Sequence, residues 1–264
     1  MGELNTMSIN FLDPEKCRFY INPNGFTYVL SPGESFTTPQ AVSVYSNSGL
    51  CGMSHSFHNM CKNHLGRSAE KAVKHPIIIN SWEAMYFDIT EKRIENLVRS
   101  CRGLGIDTFV LDDGWFGCRK SDNSSLGDWY IDKNKFPNGL KNIISICKEN
   151  GMSFGIWFEP EMISENSELY RRHPDWCIHT PGCAPIESRS QLVLDMARSE
   201  VVDCIYNQLA ALLNEYDITY VKWDMNRNIT DNGSASLSAD AQGEHAHRYI
   251  LGVYSLMDRL TKAF

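Results

Sequence analysis

The sequence predicts an α/β protein built on a parallel sheet, with a small all-β segment before it. From residue 76 onwards, short apolar strands alternate with amphipathic helices along the 264-residue chain, which is typical of parallel strands joined by right-handed crossovers. The strands are apolar on both faces, as expected of strands that are covered by helices on each side. Polar and aromatic residues collect at the carboxyl ends of these strands, where parallel sheets hold their binding and catalytic sites.

The first 60 residues show β patterns. In RFYINPNGFTYVLSP, two runs of alternating apolar residues flank the Pro-Asn-Gly sequence at residues 23–25, which predicts a hairpin. The next stretch, ESFTTPQAVSVYSNSG, predicts a further strand that ends at the Asn-Ser-Gly sequence of residues 47–49. These strands are too few to form a hydrophobic core of their own.

The remainder of the chain predicts five strand–helix units. The predicted strands are PIIINSWEA, DTFVLDDGW, MSFGIWFEPEM, SQLVLDM and ITYVKWDMN. The predicted helices are ITEKRIENLVRSCRGLG, LKNIISICKENG, SEVVDCIYNQLAALLNEYD and HRYILGVYSLMDRLTKAF. We expect Thr90 to cap the first of these helices, Gly151 to end the second and Ser199 to begin the third.

Composition and charge narrow the possible classes of function. The formal net charge is −7 and the sequence pI is about 5.6, so no nucleic-acid partner is expected, since such proteins carry a basic face. The nine cysteines are odd in number and include no CxxC pair, which favours a reducing compartment, and we expect the cytoplasm. The chain shows neither a signal-peptide core nor an apolar run of membrane-spanning length, so no membrane partner is expected.

One group of potential metal ligands lies between the β segment and the strand–helix repeats. His55, His58, Cys61 and His64 follow one another at steps of three residues. Imidazole and thiolate groups bind zinc, but at helical geometry steps of three drift around the helix, so the four side chains do not converge. We therefore interpret this stretch as a polar segment between two domains, and we expect no metal.

The last predicted strand, YVKWDMNRN, carries Lys222, Asp224 and Asn226 at alternating positions, so that they share one face. A buried carboxylate beside a buried ammonium group is costly unless both are paired and hydrogen-bonded. Two explanations remain open. Either Lys222 and Asp224 form a structural ion pair, or Lys222 favours the ionised form of a catalytic Asp224.

Acidic and aromatic side chains dominate the other strand ends too. They comprise Trp82, Asp112, Asp113, Trp115, Trp157, Glu159 and Asp195, with Arg189 nearby. Carboxylates accept hydrogen bonds from sugar hydroxyls, indoles stack on sugar rings, and carboxylates without a His or Cys partner favour glycosidic chemistry over acyl transfer. The alternative is structural, because a tryptophan is often a core residue and Asp-Asp-Gly ends strands in turns. No glycine-rich phosphate loop follows any strand, so nucleotide binding is not expected.

Seven motifs, in this order, resemble the α-galactosidases of glycoside hydrolase family 36. They are NSWEAMYFDI, VLDDGWFGCR, LGDW, FGIWFEPEM, QLVLDMAR, VKWDMNRN and HRYILGVY. Upstream, SPGESFTTPQAVSVYS and GLCGMSHSFH resemble the end of that family's N-terminal β-sandwich and its link to the barrel. The resemblance implies a (β/α)8 TIM-type barrel, incomplete in this chain. We assign residues 1–60 to the sandwich tail, 61–75 to a linker and 76–264 to the partial barrel.

The resemblance also implies roles for single residues. Asp224 is expected to be the nucleophile of a retaining double displacement. The residues expected to bind the galactose ring or wall its pocket are Trp82, Asp112, Asp113, Trp157, Arg189, Lys222 and Asn226. Neither a metal nor an organic cofactor is implied. The expected partners are α-galactoside oligosaccharides of the melibiose and raffinose type, and the full-length enzyme is expected to be an oligomer.

The chain departs from the family pattern at its end. In the family, the general acid/base is an aspartate in a Ser-Asp-Asn motif that follows a later strand, whereas this sequence stops at TKAF. We expect the sequence to be an internal fragment of a longer enzyme. Because an incomplete barrel leaves strand edges unpaired, we expect the chain alone to be poorly stable. We also expect it to turn over unactivated galactosides negligibly.

Three functions remain open on the sequence. The first is hydrolysis of terminal α-galactosides. The second is galactosyl transfer of the raffinose- and stachyose-forming type, in which a sugar replaces water as the acceptor. The third is galactose binding without catalysis, or a subunit that another chain completes.

Overall fold

The computed structural model describes residues 5–9, 17–21, 25–65 and 75–264. These residues group into two compact units. The sheet unit contains Gly25–Val29 and Ile77–Phe264, and the N-terminal unit contains the described residues within Glu3–Asn24 and Leu30–Pro76. The domain boundaries expected from the sequence stay predictions.

In the N-terminal unit, β1 (Asn5–Ile9) pairs antiparallel with β2 (Cys17–Ile21), with Asn5 opposite Ile21. The α1 helix (Gly49–Met60) follows and continues as a short π-helix, Cys61–Leu65. The four candidate metal ligands lie on these two helical segments. Among the described residues, no group of three or more His, Cys, Asp or Glu side chains is placed to hold a metal ion.

The predicted hairpin around residues 23–25 is wrong in its pairing. The strand before the turn exists as β2, but its partner is the upstream β1, and residues 22–24 lie outside the described residues. Residues 26–30 and 35–46 form no strand. The reason is visible at residues 27 and 29, where Thr27 N donates to Gly243 O at 3.3 Å and Val29 N donates to Glu244 Oε1 at 3.0 Å. Contacts remote in sequence therefore occupy the N–H groups that a hairpin ladder would use.

The sheet unit is built on a four-stranded parallel sheet in the order β3-β4-β5-β8. Its strands are β3 (Ile78–Asn80), β4 (Thr108–Leu111), β5 (Ser153–Phe158) and β8 (Tyr220–Trp223). The register places Ile79 opposite Phe109, and Trp157 opposite Lys222. The parallel α/β architecture expected from the sequence is confirmed, with part of the barrel present in this chain.

The expected fourth barrel strand, SQLVLDM, is not in the parallel sheet. Its centre forms β7 (Leu192–Val193), which pairs antiparallel with β6 (Met162–Ile163), while β5 pairs directly with β8. Four parallel strands are therefore described where five were predicted. A short run of buried apolar residues has no periodicity that indicates which sheet it joins, and Leu192 and Val193 are buried in either arrangement.

Four α-helices of the described sheet unit follow the sequence prediction, whereas two short ones, at Trp82–Met85 and Glu168–Arg172, were not predicted. The first of these begins inside PIIINSWEA, so the prediction that this strand extends to Trp82 and beyond is wrong. In the sheet unit the helices are α2 (Trp82–Met85), α3 (Glu91–Ser100), α4 (Lys141–Glu149), α5 (Glu168–Arg172), α6 (Ser199–Glu215) and α7 (His245–Ala263). The Thr90 cap is confirmed, because its side chain accepts the N–H of Arg93 and so satisfies one free donor at the helix start. None of the described helices has both the length and the apolar character needed to cross a membrane.

The hydrophobic core lies around the two inner strands. All four residues of β4 are buried, whereas those of β8 are half-buried, because β8 is an edge of the sheet. Val221, Trp223 and Met225 pack against the core, as their alternation predicted. Beside β8, an apolar groove of about 300 Å³ is lined by residues of α6 and α7, including Leu209, Leu213, Met257 and Leu260.

Candidate active site

The carboxyl ends of three of the parallel strands, β3, β4 and β8, bring together four polar side chains. Lys222 Nζ lies 2.8 Å from Asp112 Oδ2 and 3.9 Å from Asp224 Oδ2. The side-chain amide of Asn80, at the end of β3, also donates to Asp112. The nearer partner of Lys222 is therefore Asp112, not the Asp224 that its sequence spacing suggested.

Asp224 follows β8 directly and is held as an ionised acceptor. Trp157 Nε1 and Asn226 Nδ2 donate to its Oδ2 at 2.9 and 3.0 Å, and Met225 N donates to Oδ1 at 3.0 Å. Burial alone would raise the pKa of this carboxyl, but these hydrogen bonds and the Lys222 ammonium lower it below its ordinary value. The side chain is 28% exposed, so a charged oxygen remains open to a ligand.

Asp113 has a partner that the sequence analysis did not identify. Arg119 donates to both of its carboxylate oxygens, from Nε at 2.9 Å and from NH2 at 2.8 Å. Arg119 is 1% exposed, and its NH1 is fixed by the backbone carbonyls of Asp122 and Ser124. Burial nevertheless raises the pKa of Asp113. The signal was present, because Arg119 ends the VLDDGWFGCR motif.

Glu159, just beyond β5, is one of the acidic strand-end residues that the sequence indicated without assigning it a role. Its Oε1 accepts the N–H of Asn226 at 2.6 Å and its Oε2 accepts the side-chain amide of Gln191 at 3.1 Å. The residue is 1% exposed. Burial is the main cause that raises its pKa to about 7, and the nearby carboxyls of Asp224 and Asp113 act in the same direction.

The two tryptophans expected to wall a sugar pocket occupy different environments. Trp82 is half-buried, and its ring meets those of Tyr86 and Phe87 edge to face at 5.2 and 5.1 Å between centroids. Trp157 is only 1% exposed, and its indole N–H donates to Asp224. Its expected place as a wall of the pocket stays a prediction.

Arg189 reaches the site from a strained two-residue turn. Ser188 and Gln191 exchange backbone hydrogen bonds, and the residues between them, Arg189 and Ser190, have φ values of 53° and 56°. Such left-handed backbone costs on the order of 1–3 kcal/mol for each non-glycine residue, and it is often retained where a site requires it. Arg189 NH1 donates to the carbonyl of Asn226 at 2.9 Å, which brings this turn to the segment after β8.

The arrangement is an acidic cluster with one partly exposed carboxylate whose pKa is lowered and a nearby ammonium group. The structure brings Asp112, Lys222, Asp224 and Asn226 together and joins Trp157 and Arg189 to them through hydrogen bonds. Asn80 and Arg119 are additions to the predicted set, and the hydrogen-bond partners of Glu159 required the tertiary structure. Such a set can bind hydroxyl groups and offer a nucleophilic oxygen to a sugar.

The comparisons with known proteins, by family model and by sequence, are consistent with one another. The family model described as Melibiase matches residues 35–264. The alpha-galactosidase AgaA of Geobacillus stearothermophilus is 51% identical over 244 residues, covering 92% of this chain and 34% of the relative. Alpha-galactosidase 1 of Pediococcus pentosaceus is 47% identical over 244 residues, covering 92% of this chain and 33% of the relative. The chain thus spans about a third of the length of these curated relatives.

Solved structures show the same similarity. A variant of the Geobacillus stearothermophilus GH36 α-galactosidase AgaA in complex with raffinose superposes with a TM-score of 0.91 at 48% identity, covering 98% of this chain and 36% of that chain. The α-galactosidase from Lactobacillus brevis gives a TM-score of 0.91 at 42% identity, covering 98% of this chain and 35% of that chain. The fold of this chain therefore has solved counterparts.

Proposed function

This chain belongs to the Melibiase family, the α-galactosidases of glycoside hydrolase family 36, and from that membership we propose that its site serves to remove terminal α-linked galactose from oligosaccharides. Two solved structures of variants of one relative, AgaA, are complexes with raffinose and stachyose, which supports α-galactoside oligosaccharides as the substrate class. The proposed mechanism is a double displacement with retention of configuration.

The observation that carries this proposal is the state of Asp224. A nucleophilic carboxylate must be ionised, oriented and reachable. Three hydrogen bonds orient Asp224, its pKa is lowered, and its side chain is 28% exposed. In the first step an Asp224 oxygen bonds to the anomeric carbon as the glycosidic bond breaks. In the second step water attacks that carbon and releases Asp224.

The sugar itself is assigned to the neighbouring groups. Asp112 accepts from Lys222, from Asn80 and, through Oδ1, from the N–H of Asp113, so its carboxylate is fixed in place at 3% exposure. We propose that Asp112, Asp113 and Lys222 bind ring hydroxyls, that Asn226 lies near the 2-hydroxyl, and that Trp82 and Arg189 border the pocket.

Proton transfer to the leaving oxygen is assigned to none of these groups. Glu159 is the described carboxyl with a pKa near neutrality, but it is 1% exposed and both of its oxygens accept hydrogen bonds from the protein. A general acid must reach the leaving oxygen, and Glu159 does not. The family resemblance gives that role to an aspartate of a later motif, so the part proposed for this chain is sugar binding and nucleophilic attack.

Covalent labelling followed by peptide mass mapping tests the proposal. The probe is a galactose-configured inactivator of α-retaining enzymes whose trapping needs no acid/base residue, and its glucose-configured twin is the control. We expect a galactose-selective label on Asp224, absent in Asp224→Asn. A label on another residue would contradict the nucleophile, a label from the glucose probe alone would contradict the sugar, and no label on the folded chain would contradict the proposed function.

A further inference from the structure

We propose that Glu159 is a positioning residue for Asp224, a role that rests on the function proposed above. Glu159 lies one residue beyond β5 and is buried. Its two carboxylate oxygens accept from different segments: Oε1 from Asn226 N at 2.6 Å and Oε2 from Gln191 Nε2 at 3.1 Å. One side chain thereby ties the segment after β8 to the turn that carries Arg189.

Asn226 is the residue through which Glu159 acts. Its N–H is held by Glu159, its carbonyl accepts from Arg189 NH1 at 2.9 Å, and its side chain donates to Asp224 Oδ2 at 3.0 Å. A hydrogen bond weakens steeply with small changes of distance and angle. Displacement of the Asn226 backbone would therefore weaken a donor that keeps Asp224 oriented and ionised.

Gln191 is fixed from its other side by Arg227, a guanidinium that is 5% exposed. Arg227 NH1 donates to the carbonyls of Gln191 and Ile186 at 2.6 and 2.9 Å. The Oε1 atom of Gln191 is buried and has no hydrogen-bond partner among the described residues. The Gln191 amide can thus turn over and accept an N–H from position 159, which makes glutamine a conservative replacement for Glu159.

Charged groups surround Glu159 without bonding to it directly. The carboxyls of Asp224, after β8, and Asp113, after β4, disfavour its ionised form, while the Arg119 guanidinium favours it.

A matched control lies two residues away. Glu161 is 6% exposed at the same strand end, but its hydrogen bonds come from Trp223 Nε1 at 3.2 Å and Tyr249 OH at 2.6 Å.

The first test compares labelling rates of the full chain and its variants with the galactose-configured inactivator. We expect Glu159→Ala to lower the maximal inactivation rate at least tenfold while the inactivator concentration at half-maximal rate changes less than threefold. Glu159→Gln should keep at least a third of the wild-type rate, and Glu161→Ala should keep the wild-type rate for its folded fraction, measured by circular dichroism. Equal rates for Glu159→Ala and Glu161→Ala would overturn the proposal.

A second test needs no reaction. In ¹⁵N-labelled protein, we expect the Asn226 amide and Trp157 indole signals to shift in Glu159→Ala and in Gln191→Ala, and to stay in Glu159→Gln and Glu161→Ala. Gln191→Ala carries the test should Glu159→Ala fail to fold. Unmoved signals in both alanine variants overturn the positioning role. A wild-type chain that takes no label while the signals shift as expected contradicts the proposed function but supports the positioning geometry.

Discussion

Two aspartates of the sheet unit accept similar numbers of hydrogen bonds but differ in their exposure to solvent. Asp224 accepts from Trp157, Asn226 and Met225. Asp195 accepts from His245 Nε2 at 3.0 Å, from Ala197 N at 3.1 Å and from the Ser234 hydroxyl. The Asp224 side chain is 28% exposed, whereas that of Asp195 is 1% exposed.

The difference teaches that the number of donors does not distinguish the proposed nucleophile from a structural carboxylate. The donors of Asp195 come from the segment just before α6, from the loop before α7 and from α7 itself, and the carboxylate is buried among them. The donors of Asp224 leave one side of the carboxylate open. In sequence, both aspartates end an apolar run and resemble each other. In the structure, Asp195 joins segments of the fold, whereas Asp224 stays partly exposed.

The largest expected effect separates these two roles. Asp224→Ala should abolish covalent labelling, by at least a thousandfold, and change the free energy of unfolding by less than about 1 kcal/mol. Asp195→Ala should cost about 3–5 kcal/mol of stability, because it leaves buried donors without an acceptor, and should keep labelling in the folded fraction. Labelling rates and urea unfolding check both. A stable Asp195→Ala chain that takes no label would break the comparison.

The pH dependence of stability tests a third carboxyl, Glu159, which is buried like Asp195 but lies beside Asp224. Its pKa is raised from 4.5 to about 7 in the folded chain, so between these pH values the folded state binds more protons than the unfolded state. Stability should therefore fall as pH rises from about 4.5 to 7, by at most about 3 kcal/mol from this group, and then level off. Urea unfolding at several pH values should show this fall in wild type and lose about that much of it in Glu159→Gln. If the free energy of unfolding changed with pH in the same way in wild type and in Glu159→Gln, the raised pKa of Glu159 would be contradicted.

A smaller effect is expected at Trp157. The variant Trp157→Phe keeps an aromatic ring but removes a donor to Asp224 Oδ2, so the pKa of Asp224 should rise. The rate of labelling, measured against pH, should fall on the acid side of its profile, where less of Asp224 is ionised. In Trp157→Phe this acid limb should move to higher pH, and labelling at a pH within it should slow about tenfold. Trp223→Phe is the matched control, because its indole donates to Glu161. An unshifted limb in Trp157→Phe would show that the indole does not tune Asp224.

The smallest effect is expected at the surface beside Asp195. Asp175 is 59% exposed and pairs with Arg198 at 3.0 Å. Because exposed ion pairs contribute about 0–1 kcal/mol, Asp175→Asn should change the free energy of unfolding by less than about 1 kcal/mol and leave labelling unchanged. A loss as large as that of Asp195→Ala would mean that exposure does not distinguish the aspartates of this region.

Much of this fold was predictable from local patterns. The helices α3, α4 and α6 and the four parallel strands lie within the segments whose periodicity or apolar runs indicated them, and α7 begins two residues before its predicted segment. Thr90 caps α3 as its position before the helix predicted. The segment 26–30 and the run around Leu192 were misassigned. Both are short, and contacts with residues distant in sequence, such as Gly243 and Met162, decide their backbone pairing.

The sequence by itself determined the α/β class, the cluster of carboxylates at the strand ends and the alternation that turns Lys222, Asp224 and Asn226 to one face, because these features depend on spacings of a few residues. Only the tertiary structure decided which groups pair. Lys222 meets Asp112, 110 positions away, Trp157 donates to Asp224 across 67 positions, and Glu159 binds Asn226 across the same separation. Strand order and register create these contacts, and no local pattern encodes either.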